Sequence, residues 1–194
     1  MALIDPITDA LAAQCRAATR AAHRALDHHP LLAPLLRPGL TLTEYAQALA
    51  ALYAPQAALE SLLAGFAPAK DFPPRSSALA ADLAALGLAP EPLRAAPPLA
   101  EDVSARLGCL YVLEGSNLGA AFIAQALAKH LPAAPRRFFA GGADPLRWER
   151  FWRFARDCRP QPERMIAAAI ATFAFYRSHL DACLAFLPSR ERRA

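Results

Sequence analysis

Along most of the chain, apolar residues return every three or four positions, the spacing that puts them on one side of a helix. Ile7, Leu11, Cys15, Ala18, Ala22 and Leu26 form one such stripe. It predicts a first helix opening at Asp5, with Pro6 in its first turn, and running to about His28. Pro30, Pro34 and Pro38-Gly39 mark a connection. Thr41 and Glu44 have capping-box spacing and start a second helix, running to about Leu63, with a kink at Pro55 and a stop at Gly65. After a Pro-containing loop over 67–75, Ser76 or Ser77 caps a short helix that stops at Gly87. Four prolines between 90 and 98 stiffen a linker. A long helix is expected over 99–131, interrupted by Gly108, Gly115 and Gly119. A loop over 132–145 and helices over 146–158 and 162–187 complete the pattern.

Composition narrows the fold to all-α. Apolar residues make up 55% of 194, enough for a buried core and too many for a disordered chain. Alanine and leucine dominate, and β-branched residues are scarce, which disfavours a large sheet. No internal repeat or second hydrophobic unit is visible. The expectation is therefore a single domain over 1–194, with its core at about 5–187 and an exposed tail at 188–194.

The N-terminus lacks a basic stretch followed by an apolar run, so no signal peptide is expected. The most apolar stretch, 107–128, carries Glu114, Ser116, Asn117 and Gln125 and reads as a buried helix, with no membrane association. Four separated cysteines without a CxxC read as buried free thiols, and the expected location is cytoplasmic. The net charge of +4 comes almost entirely from arginine, the residue best shaped to clamp carboxylates. It suits an acidic ligand or protein partner. No interleaved aromatic and basic motif is present, so nucleic acid is not expected.

Two clusters carry candidate chemistry. On the first helix, His23 lies about 100° from the centre of the apolar stripe, with Arg20 and Arg16 one and two turns before it on the same side. An imidazole followed by guanidiniums suits a ligand with an apolar body, a metal centre and anionic edges, as haem has. The competing reading is a solvated surface histidine. His28 and His29 read as helix-end or solvated groups. In the second cluster, YVLEGSNLGAAF, Gly115 and Gly119 share one helical face at a cost of about 1 kcal/mol each against alanine. Either close helix packing or the close approach of a flat ligand explains them. Glu114, Ser116 and Asn117 add polar groups that need partners.

The segment LYVLEGSNLGAAF resembles the distal-helix motif of bacterial haem oxygenases, and CRAATRAAHRALD resembles their proximal-helix motif. The order and separation of the two motifs agree, and the resemblance spans about 5–187. It implies a helical bundle holding haem between the first helix and a kinked distal helix. It implies that His23 is the iron ligand, that Arg16, Arg20 and Tyr111 meet the propionates, that Gly115 and Gly119 let the distal backbone cross the ring, and that Phe173 lines the pocket. Ser116 stands where the animal branch carries an acid, so Asn117 and backbone carbonyls are expected to order the distal water.

The activity implied is oxidative cleavage of haem, both cofactor and substrate, to biliverdin, carbon monoxide and ferrous iron. It uses dioxygen and electrons from a ferredoxin, flavodoxin or reductase. Arg150, Arg153 and Arg177 are candidates for a further propionate contact, and the expected state is a monomer. The alternative is a haem-binding protein for storage, delivery or sensing. A different enzyme on the same scaffold, such as a thiamin-salvage hydrolase or a di-iron oxidase, is a third reading; the paired Glu-x-x-His motifs of di-iron sites are absent.

Overall fold

A computed structural model describes residues 6–68, 71–141, 144 and 146–187. Among them are seven α-helices and no strand. These are α1 (Pro6–Asp27), α2 (Leu42–Leu62), α3 (Ser76–Ala85), α4 (Val103–His130), α5 (Arg137–Ala140), α6 (Arg147–Cys158) and α7 (Pro162–Phe186), with a 3-10 turn at Ala33–Leu36. Asp5 and the expected tail lie outside the described residues.

Local signals act where they were expected at α2. Thr41 Oγ1 accepts from the Glu44 amide at 3.2 Å, and Glu44 Oε2 accepts from the Thr41 amide at 2.8 Å, closing the capping box. Gly65 and Gly87 follow α2 and α3 with left-handed φ of +73° and +69°. The start of α3 differs. Ser76 is its first helical residue, and the Glu60 carboxylate of α2 accepts from the amides of Arg75 (2.6 Å) and Ser76 (3.1 Å). A carboxylate from another helix thus replaces the serine cap. The 132–145 loop also differs, since it contains α5. α5 is anchored by Asp82, whose carboxylate accepts from the Arg137 and Phe138 amides at 3.1 and 2.9 Å.

Pro55 sits inside α2 without ending it. Its missing N–H leaves the Ala51 carbonyl without a helical donor. His179 of α7, fully buried, hydrogen-bonds the Ala51 backbone, while its Nδ1 accepts from the Arg94 amide at 3.1 Å. The imidazole therefore repairs the gap that the proline makes.

The core centres on α4 and α7. Gly108 permits their closest approach: a Cβ there would stand 2.3 Å from the Met165 carbonyl oxygen and 2.7 Å from the Ala168 Cβ. The helix runs unbroken through Gly108, Gly115 and Gly119, so the expected interruption does not occur. By length and composition α4 matches a membrane span, but it packs against α5, α6 and α7, and a row of its residues from Leu107 to Leu113 is buried. On α1 the buried stripe is Ala12, Cys15 and Thr19, continued by the half-buried Ala22 and Leu26; Ala18, assigned to the stripe from sequence, faces solvent.

Candidate functional site

Contacts place α1, α4 and α7 side by side in one direction. Asp102 pairs with Arg164, Gly108 abuts Ala168, and the Thr172 hydroxyl lies 3.4 Å from Cys109 Sγ, so α4 and α7 ascend together. His23 meets Phe173 and His29 lies 3.3 Å from Asp181, so α1 ascends with them. The first and fourth helices meet where the Tyr111 phenol hydrogen-bonds Thr19, beside Cys15 and Arg16. Burial pushes this phenol above its usual range, and the Thr19 hydrogen bond partly offsets the rise. One turn further along each helix stand His23 and Gly115.

His23 is more than half exposed. Its Nδ1 lies 2.9 Å from the Asp27 carboxylate one turn on, and its ring stands edge-on to the buried Phe173 with centroids 5.8 Å apart. Asp27 was missed from sequence, although its i, i+4 spacing from His23 was visible. A carboxylate on Nδ1 fixes the ring and leaves Nε2 as the nitrogen to offer a metal. Arg16 and Arg20 are exposed and carry no ion pair among the described residues.

Gly115 and Gly119 are not packing glycines. Among the described residues, a Cβ on Gly119 would meet nothing within 4 Å, and one on Gly115 would meet only the Trp148 ring at ordinary contact distance, 3.7 Å. Their face continues through Leu118 and Phe122, which are 50% and 68% exposed. An apolar, glycine-flattened helix face without a partner calls for a ligand or another molecule. Tyr111, one turn before Gly115, packs against Trp148, Phe151 and Trp152 of α6.

Ser116 is exposed, and its hydroxyl donates back to the Leu113 carbonyl at 2.7 Å. Asn117 stands elsewhere than expected. It lies about 200° round the helix from both glycines and is buried, and its Nδ2 donates to Glu114 Oε2 at 3.2 Å. It braces a buried charge rather than lining the open face. Glu114 in turn is clamped by Arg147 of α6, which also donates to the Pro73 carbonyl at 3.1 Å. The sequence showed that Glu114 needed a partner but not which one. Of the candidate later arginines, Arg150 is paired with Asp144, Arg153 with Glu149 and Arg177 with Asp181. His29, expected at the surface, is buried and accepts from the Leu31 amide at 3.2 Å.

Among the described residues, no group of three or more His, Cys, Asp or Glu is arranged to hold a metal ion. A metal at His23 would have one protein ligand there, which suits an ion that brings its own equatorial ligands, as iron in a porphyrin does. The exposed arginines and the flat apolar face fit such a group.

Comparison with known proteins agrees. The family model described as Heme oxygenase matches residues 9–182. A protein named Heme oxygenase from Xanthomonas campestris pv. campestris (strain 8004) is 40% identical over 115 residues, covering 57% of this chain and 67% of the relative. No solved structure matches the chain.

Proposed function

The chain belongs to the haem oxygenase family of haem-degrading enzymes, and on that footing we propose that it holds haem on the open face shared by α1 and α4. The observation that carries this reading is the pair Gly115 and Gly119: among the described residues, a Cβ on Gly119 would meet nothing and one on Gly115 would only touch the Trp148 ring. Helix packing would have filled that space, as it does at Gly108.

Each residue then has a task. His23 binds the iron through Nε2, while Asp27 on Nδ1 orients the ring and makes it a stronger donor. Phe173 supports the imidazole edge. Arg16, Arg20 and the Tyr111 hydroxyl take the anionic edge of the ring. Gly115 and Gly119 bring backbone rather than side chain over the opposite face, and Leu118 and Phe122 keep water from its rim. Ser116 is the exposed hydroxyl beside that face. Asn117, through Glu114, holds the helix that carries it.

Bound haem supplies the iron that binds and activates dioxygen, and it is also the molecule consumed. The products proposed are biliverdin, carbon monoxide and ferrous iron. Electrons come from an external ferredoxin, flavodoxin or reductase, and the positive charge of the chain favours an acidic donor. The buried thiols of Cys15, Cys109 and Cys183 suit a reducing compartment such as the cytoplasm. We further propose a single-domain monomer.

Hemin titration followed by reduction in air, with catalase present, tests the proposal. The expected result is a one-to-one complex whose haem absorption gives way to a biliverdin band. A complex that survives reduction unchanged would restore the storage or sensing role, and the lack of any stoichiometric complex would refute the site.

A further inference from the structure

Trp148 has no task in the reading above, yet among the described residues it is the side chain that meets the place of the missing Gly115 side chain. A Cβ built there would stand 3.7 and 3.8 Å from Cζ3 and Cη2, the outer edge of the indole. Any group seated on the Gly115 backbone therefore touches that edge. No such wall stands at Gly119, where nothing among the described residues lies within 4 Å.

The edge is held in place in two ways. The indole stacks on Phe151, with centroids 5.3 Å apart and planes 17° from parallel, and it meets Trp152 and Tyr111 with centroids 5.5 Å away in each case. Its chain neighbour Arg147 is bound to Glu114. Two consecutive pairs, 114 with 147 and 115 with 148, thus fix the register of α6 against α4. Trp148 is only half-buried, so part of the ring stays open on this side. A side chain packed in this way does not yield without disturbing its neighbours.

Haem is nearly square, with unlike groups on its edges, and one bond to an imidazole leaves it free to turn in its own plane. Arg16 and Arg20 attract the anionic edge, but both are long and exposed, so they hold it loosely. We infer that Trp148 is the residue that sets how haem seats: its outer edge is a fixed wall beside Gly115 that excludes all but one rotation of the ring. The inference rests on the haem reading above and adds a specificity-determining residue to it. A wall on one side only, at Gly115 and not at Gly119, is what distinguishes one rotation from another, because the rejected rotations drive their substituents into the indole.

The test is proton NMR of the cyanide-bound ferric hemin complex of the full chain, in which the paramagnetic iron spreads the ring-methyl signals and each seating gives its own set. Trp148→Phe keeps a ring on Phe151 and withdraws the outer edge, and Trp148→Ala removes the wall. Trp152→Phe alters the same aromatic cluster but leaves the wall. The wild type and Trp152→Phe are expected to show one dominant set. In both Trp148 variants the ratio of that set to the next should fall by about tenfold, and the mixture of biliverdin isomers should broaden in step, while hemin still binds one to one. Several sets of equal strength in the wild type, an unchanged set in both Trp148 variants, or the same fall in Trp152→Phe would each overturn the proposal. If Trp148→Ala does not fold, Trp148→Phe, whose melting temperature should stay near that of the wild type, decides alone. A wild-type chain that binds no hemin removes the haem reading and this inference with it, whereas bound hemin with unmoved methyl signals removes this inference only.

Discussion

Glu114 and Arg147 face each other inside the protein, 2% and 8% exposed at their side chains, and join α4 to α6 through two charge-assisted hydrogen bonds. Arg147 Nη2 donates to Glu114 Oε1 at 2.9 Å. Asn117 adds a donor to the same carboxylate, and Arg147 carries its second contact to Pro73. The helix bearing Gly115 and Gly119 is thus fixed from the side opposite its open face.

Removing one partner leaves the other charge buried and unpaired. Arg147→Leu and Glu114→Leu are each expected to cost about 3–5 kcal/mol in urea unfolding. The double replacement by leucine and methionine is expected to recover most of that loss, because apolar side chains of similar size tolerate the interior. A double variant as unstable as the sum of the singles would show that the pair is not coupled as described.

The glycines of α4 separate into two kinds. Gly108→Ala drives a methyl group into the Met165 carbonyl and the Ala168 side chain, both on α7. It is expected to destabilise by about 3 kcal/mol or more. Gly119→Ala meets nothing among the described residues and removes a flexible residue from a helix interior, so stability should rise by up to about 1 kcal/mol. Its turnover of haem should nevertheless fall, and Gly119→Leu should lower it further. Equal stability losses at 108 and 119 in thermal melts would return both glycines to helix packing.

That contrast marks what the sequence could disclose. Thr41 and Glu44 are three residues apart, and their capping box could be read directly because every atom in it is local. The apolar period predicted the long helices within a few residues of their observed ends. The cap of α3 was missed because Glu60 supplies it from another helix, and the partner of Glu114 because Arg147 lies 33 positions away. Among Gly108, Gly115 and Gly119, spacing singled out the last two but could not say which of them meet a neighbour. The expectation that Asn117 orders the distal water rests on its place in the glycine motif, whereas helical geometry turns it to the side away from both glycines. His29 follows the end of α1, but its burial is not legible in the sequence because its partner, Asp181, comes from α7.

If His23 is the iron ligand, His23→Ala should lose the stoichiometric hemin complex, and added imidazole should restore a spectrum like that of the wild type. Asp27 tests the same geometry one step removed. Asp27→Ala should keep hemin but lower the ferrous iron–imidazole stretching frequency and slow turnover by about tenfold, because the ring loses its orienting carboxylate. An unchanged frequency would mean that Asp27 does not act through His23.

The stability of the fold should depend on two neutral imidazoles. Burial holds both His29 and His179 below the usual histidine range. For His29 the Asp181 carboxylate opposes that shift and Arg177 adds to it; for His179 the Ala51 hydrogen bond and Glu91 oppose it and Arg94 adds to it. Because the folded pKa is depressed, the unfolded chain takes up protons first as pH falls. The stabilisation is therefore fully present above the unfolded value, about 6.5, and is lost as pH drops from there through the folded values. Each histidine can contribute a slope of at most about 1.4 kcal/mol per pH unit. Urea midpoints measured between pH 8 and pH 5 should hold steady and then fall. His179→Gln, whose amide can still donate to Ala51 and accept from Arg94 without titrating, should flatten part of that fall. A His179→Gln curve parallel to the wild type would mean that His179 is protonated alike in the folded and unfolded chains.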